Sequence, residues 1–258
     1  MNRREAIKTG ALLSAGTLAS PRLFSDNHQH SFKIGARDWS IKRMLEPEAF
    51  RLGKEIGLDG IQYSFDARGR GWDLRTKENR EDIRKIVKET GVGISSLAIG
   101  LLNRVSFAQT EEGEQLVHQC IQTMATLKKE AAQLDDQNLA QKVAPNLVLL
   151  AFFGQGDIDG HQHLLDATVE KLKRVAPKAE KHGITLGLGS WLNEADHRYI
   201  LDKVGSPAVK VYYDTANANK MGYDIYKEIK SLGSENICEL HCKENGFLLG
   251  RGGTALEP

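Results

Sequence analysis

Residues 57–65 read Gly57-Leu58-Asp59-Gly60-Ile61-Gln62-Tyr63-Ser64-Phe65, a glycine that closes one pattern and an apolar run that opens another. Before it, Pro47 to Ile56 has helical character; after it, Lys77 to Gly91 places Ile83, Ile86 and Val87 at spacings of three and four. The same punctuation returns in Thr90-Gly91-Val92-Gly93 and in Lys181-His182-Gly183-Ile184. A helix C-cap that leads straight into a buried strand requires this pattern, because glycine tolerates the left-handed backbone that ends a helix. Strands are therefore expected at Lys33–Trp39 and Gly60–Phe65, and then from near Gly93, Asn146, Ile184, Val209 and Ile237. That makes seven.

Apolar strands alternating with helices give βαβ units and a parallel sheet covered on both faces. A doubly wound sheet and a closed (β/α)8 barrel both satisfy the alternation. The barrel is favoured, because no glycine-rich phosphate fingerprint follows the first strand. Polar residues also recur at strand C-terminal ends, where barrel active sites are built: Asp38, Asp214, His241 and Glu244. The stretch from Glu111 to about Val143 reads as one extended helix or a helical pair broken near Asp135-Asp136.

The composition of the 258 residues narrows the partners. With 35 Lys plus Arg against 34 Asp plus Glu, spread along the chain, there is no clustered positive charge to hold nucleic acid or an anionic membrane. Three cysteines make no disulfide framework. Residues 1–25 stand apart: Arg3 and Arg4 precede an uncharged, small-residue run from Gly10 to Ala19, too short to span a bilayer. This resembles a twin-arginine export signal, which implies a periplasmic or otherwise exported protein, no stable membrane insertion, and a barrel domain over residues 26–258.

Side chains alternate across a strand. If His241 faces the interior, so do Glu239 and Lys243, while Cys238, Leu240 and Cys242 face the helices. Gly187 and Gly189 then point inward, as do Lys210, Tyr212 and Asp214. On spacing alone Asp214 reads equally well as the N-cap of the helix that follows, and His241 as a buried, satisfied histidine. Trp39, Phe153 and Trp191 wall an apolar side of a pocket or pack within the barrel. His161-Gln162-His163 opens a helix and reads as solvated.

Six stretches carry a resemblance: GARDWSIKR (35–43), SSLAIGLLNRVSF (95–107), VLLAFFGQGDI (148–158), LGLGSWLNEADH (186–197), VYYDTANANKMGYDIYKEI (211–229) and ICELHCKENGFLLGRG (237–252). Together, over roughly Phe32 to Gly252, the chain resembles the xylose-isomerase-like sugar phosphate isomerases and epimerases. The resemblance implies a (β/α)8 TIM-type barrel, a sugar or sugar phosphate as small-molecule partner, and a divalent metal (manganese, magnesium, cobalt or zinc). The family holds its metal with Glu, Asp, His and Glu at strands five to eight. Carried over, the metal ligands are Asp214 and His241, whereas the strand-five position is Gly189, which has no ligand to offer. The strand-eight glutamate would follow the Leu248–Gly252 loop, yet the sequence reaches only Pro258, so the barrel is expected to be truncated before strand eight.

The same resemblance implies proton transfer by Lys243 and Glu244 and substrate contacts from Trp39, Arg251 and Asn217, which stands where many relatives carry a second histidine. The expectation is thus an isomerase/epimerase-like protein with a weakly held metal and impaired activity. A non-catalytic periplasmic carbohydrate-binding barrel is the alternative. A metal-dependent endonuclease of the same barrel class would need a multi-metal cluster and a basic groove, and neither is visible in the sequence. Unpaired edges on the first and seventh strands invite self-association into a homo-oligomer.

Overall fold

The computed structural model describes residues 32–65, 69, 71–244, 247 and 251. The export-type segment with Arg3 and Arg4, and the positions beyond Arg251, lie outside them. Seven strands form one parallel sheet in chain order: β1 (Gly35–Arg37), β2 (Gly60–Ser64), β3 (Gly93–Ile99), β4 (Leu147–Ala151), β5 (Thr185–Gly189), β6 (Val209–Asp214) and β7 (Ile237–His241). Among the described residues β1 pairs only with β2, and β7 only with β6.

The connections hold the helices α1 (Glu48–Ile56), α2 (Lys77–Thr90), α3 (Glu111–Ala131), α4 (Gln137–Val143), α5 (Gln162–Lys181), α6 (Glu194–Val204), α7 (Thr215–Lys220) and α8 (Ile225–Asn236). Gly57 and Gly91 close α1 and α2 in the left-handed region, at φ 86° and 76°, which is why the glycine punctuation marks helix ends so cleanly. The long stretch after Glu111 is a helical pair. Asp136 begins its second member by accepting from the Leu139 backbone N–H.

The core divides into two layers. Outside the sheet, Val148, Leu150, Leu186, Leu188 and Val209 pack against helix residues such as Val117, Ile121, Leu172 and Val175. Inside it, Ala98, Leu147, Leu149, Ala151 and Tyr212 form a separate cluster with Trp39, Phe153 and Cys238 against it. Alternation along β4 accounts for both layers, since residues of opposite parity face opposite sides. None of the described helices is long and apolar enough to cross a membrane.

Two strands differ from the sequence expectation. β1 is shorter than the Lys33–Trp39 run, because the buried Asp38 carboxylate accepts from the N–H groups of Trp39 (2.7 Å), Ser64 (2.9 Å) and Leu45 (3.0 Å) and turns the chain. Asp38 is also bound by Ser64 Oγ (2.8 Å), so both its oxygens are committed to structure. In β7 the register slips between Val211 and Tyr212, which face Ile237 and Glu239, leaving Cys238 as the extra residue of a bulge. Cys238 therefore packs on the inner cluster and not on the helices, with its thiol donating to Val211 O (3.2 Å). All three cysteines are free thiols.

Candidate active site

β6 ends in Asp214, whose position is set twice. As the N-cap of α7 its Oδ1 accepts from Asn217 N (3.0 Å), so the capping reading holds. Its Oδ2 meets Lys243 Nζ at 2.7 Å and stands 3.7 Å from His241 Nδ1. Burial alone would raise the Asp214 carboxyl; the neighbouring His241 and the Lys243 ammonium more than offset it, leaving the pKa below the usual value. The His241 imidazole is pushed down by burial, and the Asp214 carboxylate pulls the other way.

The Tyr212 ring lies against His241, with centroids 4.4 Å apart and planes tilted by 48°. Behind it lies a polar network within the barrel, whose members Gln62 and Ser96 the sequence did not single out. Gln62 Nε2 donates to Ser96 Oγ (2.9 Å) and to Tyr212 Oη (2.7 Å), and Gln62 Oε1 lies 3.2 Å from His241 Nε2. The Glu239 carboxyl is raised by burial, and hydrogen bonds from Tyr212 and Ser96 act against the rise. The available signal was a glutamine and a serine inside otherwise apolar strands, since buried polar groups demand partners.

Aromatic and cationic groups ring the crevice. Arg37 lies over the Trp39 ring at 4.7 Å and within electrostatic reach of Asp214. Phe153 meets Trp191 edge to face at 5.6 Å, and Lys220 lies 5.2 Å from the Trp191 ring centre. Ser190, at the end of β5, is 3.0 Å from His197 Nε2, and both line a cavity shared with Trp191, Tyr212 and Asp214.

The structure thus gathers Asp214, His241 and Lys243 of the residues expected from sequence. Asn217 contributes its backbone N–H, and Trp39 sits on the inner cluster at the β1 end. Glu244 lies partly buried just past β7, and Arg251 is exposed. His161 and His163 are exposed, as expected. Gly189 points inward: a Cβ added there would lie 2.4 Å from Leu149 Cδ1, in the inner cluster. Among the described residues no group of three or more His, Cys, Asp or Glu side chains could hold a metal ion. With Lys243 already on the Asp214 carboxylate, these residues do not fit a catalytic divalent site, which usually takes three or more protein ligands.

Residues 50–253 match the sequence signature described as the xylose isomerase-like TIM barrel. The chain belongs to that family. A curated relative, 2-epi-5-epi-valiolone 7-phosphate 2-epimerase from Actinoplanes sp., is 28% identical over 192 residues, 74% of this chain. The matched stretch spans 65% of that relative's length. Among solved structures the fold is similar to D-psicose 3-epimerase with D-tagatose from Clostridium cellulolyticum (TM-score 0.63, 15% identity, covering 87% of this chain and 78% of that one). It is also similar to a xylose isomerase-like TIM barrel protein from Mycobacterium smegmatis in complex with magnesium (TM-score 0.55, 17% identity, 78% and 72% covered). These solved structures share the fold of this xylose isomerase-like chain.

Proposed function

We propose that the crevice at the C-terminal ends of β5, β6 and β7 is a sugar-binding site of the isomerase/epimerase kind, in which a divalent metal is held weakly and turnover is slow. The observation that carries this reading is the 2.7 Å contact of Lys243 with Asp214. An ammonium occupies the carboxylate that the family gives to its metal, and Gly189 leaves the neighbouring strand without a second carboxylate.

A polyol suits what remains. Asp214 accepts from a sugar hydroxyl, Lys243 donates to a sugar oxygen, and Trp39, Phe153 and Trp191 offer apolar faces for C–H groups. Lys243 and Glu244 are the proposed proton-transfer residues, able to hold or deliver a proton beside a sugar carbonyl. The Arg3-Arg4 pair and the uncharged run after it support export as part of the same proposal.

Calorimetric titration with manganese, paired with a ketose epimerisation assay and saturation-transfer NMR with ketohexoses, tests the reading. The wild type should bind sugar, bind manganese weakly and turn over slowly. Gly189→Glu, once Leu149 changes rotamer to admit the new Cβ, should tighten manganese binding by about tenfold, equivalent to about 1.4 kcal/mol. It should not restore fast epimerisation. Tight metal binding with rapid turnover by the unmodified chain would overturn the proposal, and sugar binding without any turnover would favour a carbohydrate-binding barrel.

A further inference from the structure

We infer that Arg37 selects a negatively charged substrate: its guanidinium takes the phosphate or carboxylate group of a polyol whose hydroxyls lie against Asp214 and Lys243. This rests on the sugar-site reading and narrows it from polyols in general to anionic ones.

Arg37 is the last residue of β1, at the same end of the sheet where Asp214 closes β6 and His241 closes β7. Its register partner is Gln62, and residues paired across a parallel sheet point to the same face. Gln62 points inward, since its amide donates to Ser96 Oγ and Tyr212 Oη and its Oε1 lies 3.2 Å from His241 Nε2. Arg37 therefore enters the crevice beside the glutamine that touches the imidazole. Trp39, two residues on and packed on the inner cluster, holds the guanidinium there, with Cζ 4.7 Å from the ring centre.

What this guanidinium lacks is an anion. Its Nε donates to Ser40 Oγ at 3.0 Å, while among the described residues Nη1 and Nη2 have no acceptor and no carboxylate forms an ion pair with the group. Asp38, its neighbour in sequence, has both oxygens taken by the N–H groups of Trp39, Leu45 and Ser64 and by Ser64 Oγ. Asp214 is held by Lys243 at 2.7 Å. A half-buried guanidinium with both Nη groups open grips two oxygens of a phosphate or carboxylate side by side, a geometry that an ammonium does not offer. The competing cation is Lys220, which lies 5.2 Å from the Trp191 ring centre; it is exposed, so its attraction is screened by salt.

The test is calorimetric titration, without added metal, of three probes: D-fructose, D-fructose 6-phosphate and D-fructuronate. At least one anionic probe should bind the wild type about tenfold or more tighter than D-fructose, and the tighter of the two tells phosphate from carboxylate. In Arg37→Gln that preference should disappear with D-fructose binding kept, whereas Lys220→Gln should retain it. Should Arg37→Gln not fold, Arg37→Met, which keeps an apolar stem over Trp39, takes its place. Equal wild-type affinities for all three probes, a preference that survives in the folded Arg37 variant, or one lost in Lys220→Gln instead would overturn the inference and leave the sugar-site reading standing. Binding of none of the three would overturn the sugar-site reading and this inference with it.

Discussion

Lys243 holds the charge balance of the crevice. Its partner carboxylate is nearly inaccessible, with the Asp214 side chain 6% exposed against 33% for Lys243. Removing the ammonium by Lys243→Met leaves a buried carboxylate with one cation fewer, and stability at neutral pH should fall by about 1–3 kcal/mol. The sign of the pH effect follows from the lowered Asp214 pKa. Its contribution is present above the unfolded carboxyl's pKa and is lost as pH falls through the folded one. The gap between wild type and variant in urea titrations should therefore narrow toward acid pH, and a gap constant with pH would count against the pair. Asp214, His241 and Lys243 were legible because strand parity and the family motif placed them together. Gln62 and Ser96 were not, since nothing in their local sequence states which distant side chains they meet.

At the level of elements, the junction of β5 and α6 hides a second titrating group. Burial lowers the His197 imidazole to about 4 from the usual 6.5, so the folded chain keeps it neutral while the unfolded chain protonates across that interval. Stability from this source is complete above pH 6.5 and drains away as pH falls toward 4, by about 3 kcal/mol in all. His197→Leu should remove that slope, so that unfolding free energies of wild type and variant converge or cross between those limits; parallel curves would argue against it. The strands themselves were readable from sequence because glycine caps and apolar runs are local signals. The Cys238 bulge was not, because a register slip depends on how two strands meet. The short β1 likewise reflects Asp38 reaching Ser64 across the sheet, a contact made only after folding.

For the whole molecule, the segment before the barrel makes its own prediction. Twin-arginine export carries folded proteins, so replacing both Arg3 and Arg4 by Lys should leave the protein in the cytoplasm; undiminished delivery across the membrane would contradict the export proposal. The barrel itself is tied across its interior by side chains. Gln62 on β2 bonds Tyr212 on β6 at 2.7 Å and meets His241 on β7 at 3.2 Å, contacts that bridge 150 and 179 residues of sequence. Neighbouring strands pair through much shorter chain segments, and the entropy of closing a loop must be met before a long-range contact repays it. The polar tie therefore belongs to the last stage of folding, when the strands can already form in sequence and the first part of the chain finally meets the last. The candidate site and chain closure are in this way one event: until β2 meets β6 and β7, the imidazole lacks its Gln62 neighbour and the crevice does not exist.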